Sequence, residues 1–359
     1  MVQIAHQISD CPGGGDWPKL GRLPNHATQG AAMLTLTAPT EADADAIRAL
    51  FRGFPYRAFQ QRRQRIDPGQ LASMLWDQTR RAMAQPECDF AAARAGAELL
   101  GLAGLAPDTW HSEVFAMPMA RIQPFLIYPR PSLVGPELLA SILNDARRRG
   151  YAHLSCRLDA SDWAAIHVLE ADGFYLVDGS QKLTRRLGGP AAPPLAECAA
   201  PEGLSLDDLR PGEEDALAAL ASRSHDTNHF FNDPALKRDA AQRLFEEWVR
   251  RCCRGLARHV FVARRDGTPV GFVTYLGAPA LEKRLGLRII ILDFIVIDRA
   301  EQGHGMGRWL LGETLRRLAG AYDWVELRTS YNNYPALALY HRMGFETIAS
   351  DVILHKRLR

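Results

Sequence analysis

Residues 293–307 read DFIVIDRAEQGHGMG. An apolar run from Phe294 to Ile297 gives way to polar residues, and glycines then alternate at 303, 305 and 307. A helical pattern, RWLLGETLRRLAGA, begins at Arg308. This order of strand, glycine-rich turn and helix N-terminus suits a phosphorylated ligand. Residues without a Cβ let backbone N–H groups close on an anion, and the helix end adds its dipole. One helix-end charge effect is worth only about 0.3–1 kcal/mol, so useful affinity needs several amides converging on a diphosphate. Two nucleotide motifs fail on spacing. There is no GxxxxGK[ST], and a GxGxxG fingerprint needs glycine where Arg308 stands. An isolated glycine triplet is equally a flexible surface turn, so its context decides.

The chain has 359 residues, more than one ordinary core accommodates, which points to two domains. A net charge of +2 gives no global reason to expect nucleic acid or an anionic membrane. The six cysteines, at 11, 88, 156, 198, 252 and 253, form no CxxC pair. They read as free thiols of a reducing compartment, so the cytoplasm is the expected location. No apolar run approaches the length of a membrane span. Residues 1–33 are rich in Gly and Pro, lack a signal-peptide core, and read as a loose tail.

From Leu34 the elements alternate. Leu34–Leu36 reads as a strand, and PTEADADAIRALFRGF reads as an amphipathic helix capped by Thr40 or Asp43. A less periodic, Arg- and Gln-rich segment follows. FAAARAGAELLGLAGL is a strand, turn and strand, and ARIQPFLIYP is a further strand. Then come the helix GPELLASILNDARRRG, the strand YAHLSCRL, the helix SDWAAIHVLEADGF and the strand YLVDGSQKLTRRL. Residues 188–203, GGPAAPPLAECAAPEG, have no periodicity and read as a linker.

After the linker the same order begins again. Pro39 and Pro211 precede acidic, Ala-rich helices at an offset of 172. Phe90 and Phe261 open strand pairs at an offset of 171, and Gly101 and Gly271 follow at 170. Asp162, Ala165, Gly173 and Phe174 match Asn333, Ala336, Gly344 and Phe345 at 171. Agreement in order over four regions argues for a duplicated unit. The copies differ where chemistry would sit. Between Tyr128 and its helix the first has PRPSLVG in place of the alternating glycines, and Leu169 stands where the second has Tyr340. The first copy looks like a scaffold.

Gln302-Gly303-His304-Gly305-Met306-Gly307 resembles the [QR]xxGx[GA] signature of the GCN5-related N-acetyltransferases, and it lies in the same place, between a fourth strand and the next helix. Downstream, Asn333, Ala336, Tyr340, Gly344 and Phe345 resemble that family's second motif. The resemblance covers 204–358 and recurs in degenerate form over 34–187. It implies an α/β fold of two tandem domains of this family, each a mixed central sheet flanked by helices: a degenerate copy at 34–187 and a catalytic one at 204–359. It also implies acyl transfer from acetyl-CoA to an amine. Backbone groups at Ile295, Val296 and Ile297 would bond the pantetheine arm and the thioester carbonyl, in a cleft where the fourth strand splays from the fifth. Amides from Gln302 to Gly307 would hold the pyrophosphate, with only the backbone of His304 mattering, and Asn333 would lie near the cofactor.

Tyr340 is then the expected general acid, protonating the departing thiolate. Its bland alternative is a core tyrosine with a satisfied hydroxyl. Asp293 is the candidate base. Strict alternation puts it on the strand face of Ile295 and Ile297. A lone carboxylate within IILDFIVI is costly to bury without a partner, so pairing with an arginine is the structural alternative. A water can also take the proton.

The acceptor pocket is expected from 222–255, with His225, Asp226, Phe230, Phe231 and Trp248 as contacts and Arg250, Arg251 and Arg254 for a phosphate. The competing reading is an amphipathic helix with a solvated basic face. His, Asp, Thr, two aromatics and Asn-Asp before a long helix loosely resemble dTDP-fucosamine-type amino-sugar N-acetyltransferases, although Asn228 replaces their usual basic residue. The substrate expected is therefore a small primary amine, with a nucleotide-activated amino sugar first. Alternatives are a mycothiol synthase-like, antibiotic or protein-amine acetyltransferase, and a non-catalytic acyl-CoA sensor. No metal is expected, since the histidine spacing matches no metal-ligand pattern. Neither nucleic acid nor membrane is an expected partner, and a homodimer is left open.

Overall fold

The computed structural model describes residues 33–190, 192–195, 198–224 and 228–358. Nearly all of the expected tail, and the acceptor candidates His225 and Asp226, lie outside the described residues. The first half runs β1 (Leu34–Thr37), α1 (Ala44–Gly53), α2 (Ala58–Gln64), α3 (Pro68–Met83), β2 (Asp89–Ala95), β3 (Glu98–Pro107), α4 (Thr109–Phe115), β4 (Met119–Leu126), α5 (Pro131–Arg148), β5 (His153–Asp159), α6 (Trp163–Ala171) and β6 (Tyr175–Arg186). The second runs β7 (Leu204–Asp208), α7 (Glu214–Ser224), α8 (His229–Asn232), α9 (Arg238–Arg251), β8 (His259–Arg265), β9 (Thr268–Gly277), α10 (Pro279–Leu285), β10 (Ile289–Ile297), α11 (Met306–Leu318), β11 (Trp324–Ser330), α12 (Tyr334–Arg342) and β12 (Glu346–Arg357).

The structure adds α2, α3, α4 and α10 to the elements read from sequence. The Arg/Gln-rich segment is helical because Asp67 caps α3, accepting from the Gln70 amide at 2.8 Å, with Pro68 in the first turn. Most of the segment PRPSLVG is helix rather than loop. Pro131 opens α5, so the residues expected as a turn form its first turns, and only 127–130 join it to β4. A proline fits there because the first helical N–H groups have no intrahelical partner.

Equivalent positions in the two halves do equivalent work. Asp162 and Asn333 both cap helices, accepting from the Ala165 and Ala336 amides at 3.2 and 3.4 Å. Gly173 and Gly344 end those helices with left-handed backbones (φ 84° and 77°). A Cβ at Gly101 would lie 2.8 Å from the Leu126 carbonyl, and one at Gly271 would lie 2.9 Å from the Val296 carbonyl. In both halves the glycine lets the neighbouring strand approach.

All twelve strands form one sheet, in the order β1-β2-β3-β4-β5-β12-β6-β11-β10-β9-β8-β7. The centre of that order is an exchange. The last strand of the first half, β6, pairs with β11, and the last strand of the second half, β12, pairs with β5. The two exchanged strands also pair with each other, Glu346 to His355 against Thr184 to Tyr175. Each half therefore completes its sheet with a strand from the other. We expect a fragment comprising 204–359 to show no cooperative denaturant transition by circular dichroism, because β12 loses both neighbours. A sharp transition in that fragment would show the exchange to be dispensable.

Helices cover both faces. On one face α5 and α6 cover the first half's core, which includes Leu138, Ile142 and Leu169, while Trp309, Leu310 and Tyr340 of α11 and α12 lie in the second half's core. On the other face lie α1 and α3, with Ile47 and Trp76, and α7 and α9, with Leu217 and Val249.

Candidate active site

The functional geometry starts at one broken pairing. β10 runs parallel to β11 only from Ile289 to Leu292, against Trp324 to Leu327. Beyond that, Phe294–Ile297 pairs only with β9, while Arg328–Ser330 stays with β6. A notch opens between the two strands. The divergence coincides with a bulge between Leu292 and Phe294. The Phe294 amide donates to the Thr274 hydroxyl at 3.1 Å.

The bulge corrects the expected face of Asp293. Ile295 and Ile297 pack on the side of α11 and α12. Asp293 turns to the opposite side, where its Oδ2 accepts from Trp248 Nε1 at 2.6 Å, with Cys252 Sγ at 3.7 Å and Thr274 Oγ1 at 3.4 Å. An extra residue in a strand shifts every following side chain to the other face, and simple alternation cannot foresee it. No arginine pairs with Asp293 among the described residues. Burial pushes its carboxyl up, and the hydrogen bonds from Trp248, Cys252 and Thr274 offset this only in part.

Tyr340 faces the other way. Its side chain is 4% exposed, shares a core with Ile295, Ile297 and Ala336, and meets Phe345 at a ring distance of 5.7 Å. Its hydroxyl makes no hydrogen bond to a described residue, unlike neighbouring Tyr275, which is bonded to Thr314 at 2.7 Å. Burial raises the Tyr340 phenol well above its ordinary value, so it stays protonated. The satisfied core tyrosine of the pair is Tyr275.

At the mouth of the notch, Gly303 and Gly305 adopt φ of 85° and 80°, which favour glycine. Gly305 is the N-cap of α11 and offers no side-chain cap, so the first-turn amides of α11 are open to a ligand. Gln302 closes the turn, its Nε2 donating to the Ile297 carbonyl at 3.1 Å. His304 is exposed, whereas the side chains of Met306 and Val296 are buried in cores, leaving only their backbones for a ligand. Asn333 spends its side chain on the Ala336 amide and on Thr329 Oγ1 at 3.3 Å. We expect Gly305→Ala to weaken acetyl-CoA binding in calorimetry and to cost about 1–2 kcal/mol of stability from backbone strain alone. No atom lies within 4 Å of the new Cβ, so no steric clash contributes.

The acceptor candidates separate. Phe230 is buried against His111 and Phe115, at ring distances of 4.7 and 5.4 Å. Phe231 instead stacks on Phe245 at 5.6 Å, and Trp248 is occupied with Asp293. Arg250 pairs with Asp215 at 2.8 Å and Arg251 with Glu247 at 3.3 Å, so these two bases follow the solvated-face reading.

Two features had no signal in the sequence. The first is a cavity of about 650 Å³ on the Asp293 side of the sheet. It reaches from β4 and β5 to Arg328 on β11, the strand next to β10, with Arg57, Asp159, Lys182, Asp351 and His355 in its wall. Lys182 pairs with Glu326 at 2.8 Å and Arg328 with Asp351, but Arg57 Nη1 is buried without a partner. The second is a buried cluster around Asp233. Its Oδ2 accepts from His153 at 2.9 Å and His355 at 2.6 Å, and its Oδ1 from the Tyr175 hydroxyl and the Ala235 amide at 2.9 and 2.8 Å. The three donor atoms of a two-histidine, one-carboxylate metal set lie here within 4.8 Å of one another. The distances are those of hydrogen bonds. The outer nitrogens, His153 Nδ1 and His355 Nε2, also lack the partners that orient metal-bound imidazoles. Separations of 80 and 122 residues explain why no spacing announced the cluster.

A splayed pair of parallel strands, an uncapped glycine turn beside it and a buried phenol within it thus meet at one place in an α/β fold. The comparisons make this specific. Residues 221–345 match the family model described as "Acetyltransferase (GNAT) family". The chain is 31% identical over 240 residues to a mycothiol acetyltransferase of Brachybacterium faecium, covering 62% of this chain and 69% of that protein. It is 31% identical over 192 residues to the mycothiol acetyltransferase of Streptomyces bingchenggensis (53% and 58%). To the spore coat polysaccharide biosynthesis protein SpsD of Bacillus subtilis it is 29% identical over 201 residues (55% and 64%). The matches thus span less than two thirds of the last two relatives.

Among solved structures, a tandem GNAT protein from the clavulanic acid biosynthesis pathway superposes with a TM-score of 0.56 at 19% identity, covering 90% of this chain and 98% of that one. A GCN5-related N-acetyltransferase from Sphaerobacter thermophilus does so with 0.59 at 18%, covering 91% and 96%. At such identities these likenesses speak to the fold, and they bear out the tandem arrangement expected from the repeat. The chain belongs to the GNAT acetyltransferase family. No helix among the described residues is long and apolar enough to cross a membrane.

Proposed function

We propose that the chain transfers an acetyl group from acetyl-CoA to a primary amine of a small molecule, with its one working site in 204–359 and a degenerate copy in 34–187. The observation that supports this is the position of a phenol and a carboxylate on opposite sides of one notch. Tyr340 sits with Ile295 and Ile297 on the α11–α12 side, beside the glycine turn, and Asp293 faces the α9 side. Pyrophosphate at the amides of 303–307 directs the thioester into the notch from the first side. The amine approaches from the second.

The amine nitrogen attacks the thioester carbonyl carbon, and its surplus proton passes to Asp293 directly or through a water. The tetrahedral oxyanion then collapses, the C–S bond breaks, and Tyr340 donates its proton to the thiolate. Backbone groups at Ile295 and Ile297 orient the carbonyl. Because Asp293 acts as its carboxylate and burial raises its pKa, the rate rises with pH through that elevated value.

The cavity on the Asp293 side supports a polar, hydroxylated acceptor, since guanidinium and ammonium donors alternate in its wall with carboxylates. Nucleotide-activated amino sugars remain the first choice. The test is a titration with acetyl-CoA that follows thiol release across amino sugars, their nucleotide forms, cysteinyl glycosides and lysine peptides. Release with one class and not the others names the acceptor. Acetyl-CoA binding without release for any amine would favour a sensor and sink the catalytic reading.

A further inference from the structure

Thr109–Phe115 (α4) belongs to the half without a glycine turn, yet it packs on α9 of the other half. Trp110 lies on Trp248, with ring centroids 5.1 Å apart and planes inclined by 32°. The Arg251 guanidinium carbon sits 4.7 Å from the Trp110 ring centre. Helix α4 is anchored in turn at its start, where Asp108 pairs with His111 at 2.7 Å and with Arg121 at 3.4 Å. Trp248 makes the 2.6 Å bond to Asp293. One continuous stack therefore leads from the first half to the carboxylate in the notch.

We infer that Trp110 is a positioning residue for Asp293, acting through Trp248, so the degenerate half takes part in catalysis. The inference rests on the reading of Asp293 as the base. An indole in a side chain with two free torsions holds a hydrogen bond only if its rotamer is fixed. Trp110 covers one face of Trp248 and excludes water from the space beside the carboxylate. The groups facing Asp293 are Trp248 from α9, Cys252 just beyond it and Thr274 from β9, and none carries a charge in its ordinary state. Its ionisation therefore responds mainly to hydration and to that one indole. Removing Trp110 admits water and frees Trp248. Hydration relieves the desolvation that is the largest influence on the carboxyl and so lowers its pKa; losing the Trp248 bond opposes this as the smaller effect, and loss of orientation slows proton removal.

The test measures pH profiles of kcat/KM for Trp110→Ala, Trp110→Phe and Asp293→Asn in the full chain, with KM for acetyl-CoA. The expected result for Trp110→Ala is a fall in kcat of about tenfold, a low-pH limb displaced toward lower pH, and an unchanged KM for acetyl-CoA. Trp110→Phe, which keeps a ring on Trp248, should restore most of the rate and the position of the limb. Trp110→Leu carries the same test should the alanine variant fail to fold. An unmoved limb in the Trp110 variants, with the limb abolished in Asp293→Asn, overturns the inference and leaves the base intact. A limb that survives Asp293→Asn removes the base reading itself, and the inference falls with it.

Discussion

Replacing Tyr340 by phenylalanine should lower kcat by at least about 100-fold, the usual lower range for a positioned general acid, equal to roughly 2.7 kcal/mol of barrier. The two side chains have nearly the same shape, and the hydroxyl makes no hydrogen bond to a described residue, so neither the core nor KM for acetyl-CoA should change appreciably. The effect belongs to the chemical step: without a proton donor the thiolate is a poorer leaving group and the tetrahedral adduct reverts. Single-turnover measurements with acetyl-CoA in excess would read this step apart from product release. Turnover near the wild-type rate would return Tyr340 to the role of a core residue beside Tyr275.

A second large effect is expected at Asp233. This carboxylate is 2% exposed and joins four elements: β5 through His153, β6 through Tyr175, β12 through His355, and the turn after α8 through the Ala235 amide. Burial alone would raise its pKa, but the bonds from His153 and His355 outweigh that and hold it far below the usual carboxylate range. Asp233→Ala leaves these donors facing one another without an acceptor. Removing one partner of a buried charged network costs roughly 3–5 kcal/mol, a large part of a typical domain's stability. The measurement is the urea midpoint.

The pH dependence gives a second signature. A carboxyl whose folded pKa is depressed contributes stability that is present above its unfolded value, about 3.9, and is lost as pH falls toward the folded one. Burial also lowers the pKa of His355 below its ordinary value, so protonating that ring opposes folding as pH drops through about 6.5. The wild type should therefore lose stability in two stages on acidification, and the lower stage should be smaller in Asp233→Ala, where only other depressed carboxylates such as Asp108 and Glu213 contribute to it. Equal midpoints for the two proteins at neutral pH would show that the cluster contributes nothing.

Both predictions concern residues of very different legibility. Tyr340 is visible in the chain because Asn333, Ala336, Tyr340, Gly344 and Phe345 together resemble a family motif, whose cap and closing glycine the structure places at the two ends of α12. Local rules of this kind act over a few residues. They identified the glycine turn, whose backbone angles require residues without a Cβ, and the repeat, whose paired glycines and caps do the same work in both halves. They failed at PRPSLVG, where a proline at the first helical position was read as a loop. The Arg/Gln-rich segment is passed over for its weak periodicity, although Asp67 and Pro68 mark the start of α3, which packs around Trp76.

What the sequence by itself determined is the pair of α/β units and the location of the glycine turn, since periodicity, capping and glycine angles are properties of neighbouring residues. Only the tertiary structure decided the rest. One extra residue at the β10 bulge sent Asp293 to the α9 side, because side chains alternate and a single insertion inverts the order. The exchange of β6 and β12 made the two units interdependent, since strand pairing is chosen among all edges available in the folded chain. The Asp233 cluster, the cavity and the Trp110–Trp248 stack arise where segments far apart in sequence meet, and no local pattern encodes which ones will.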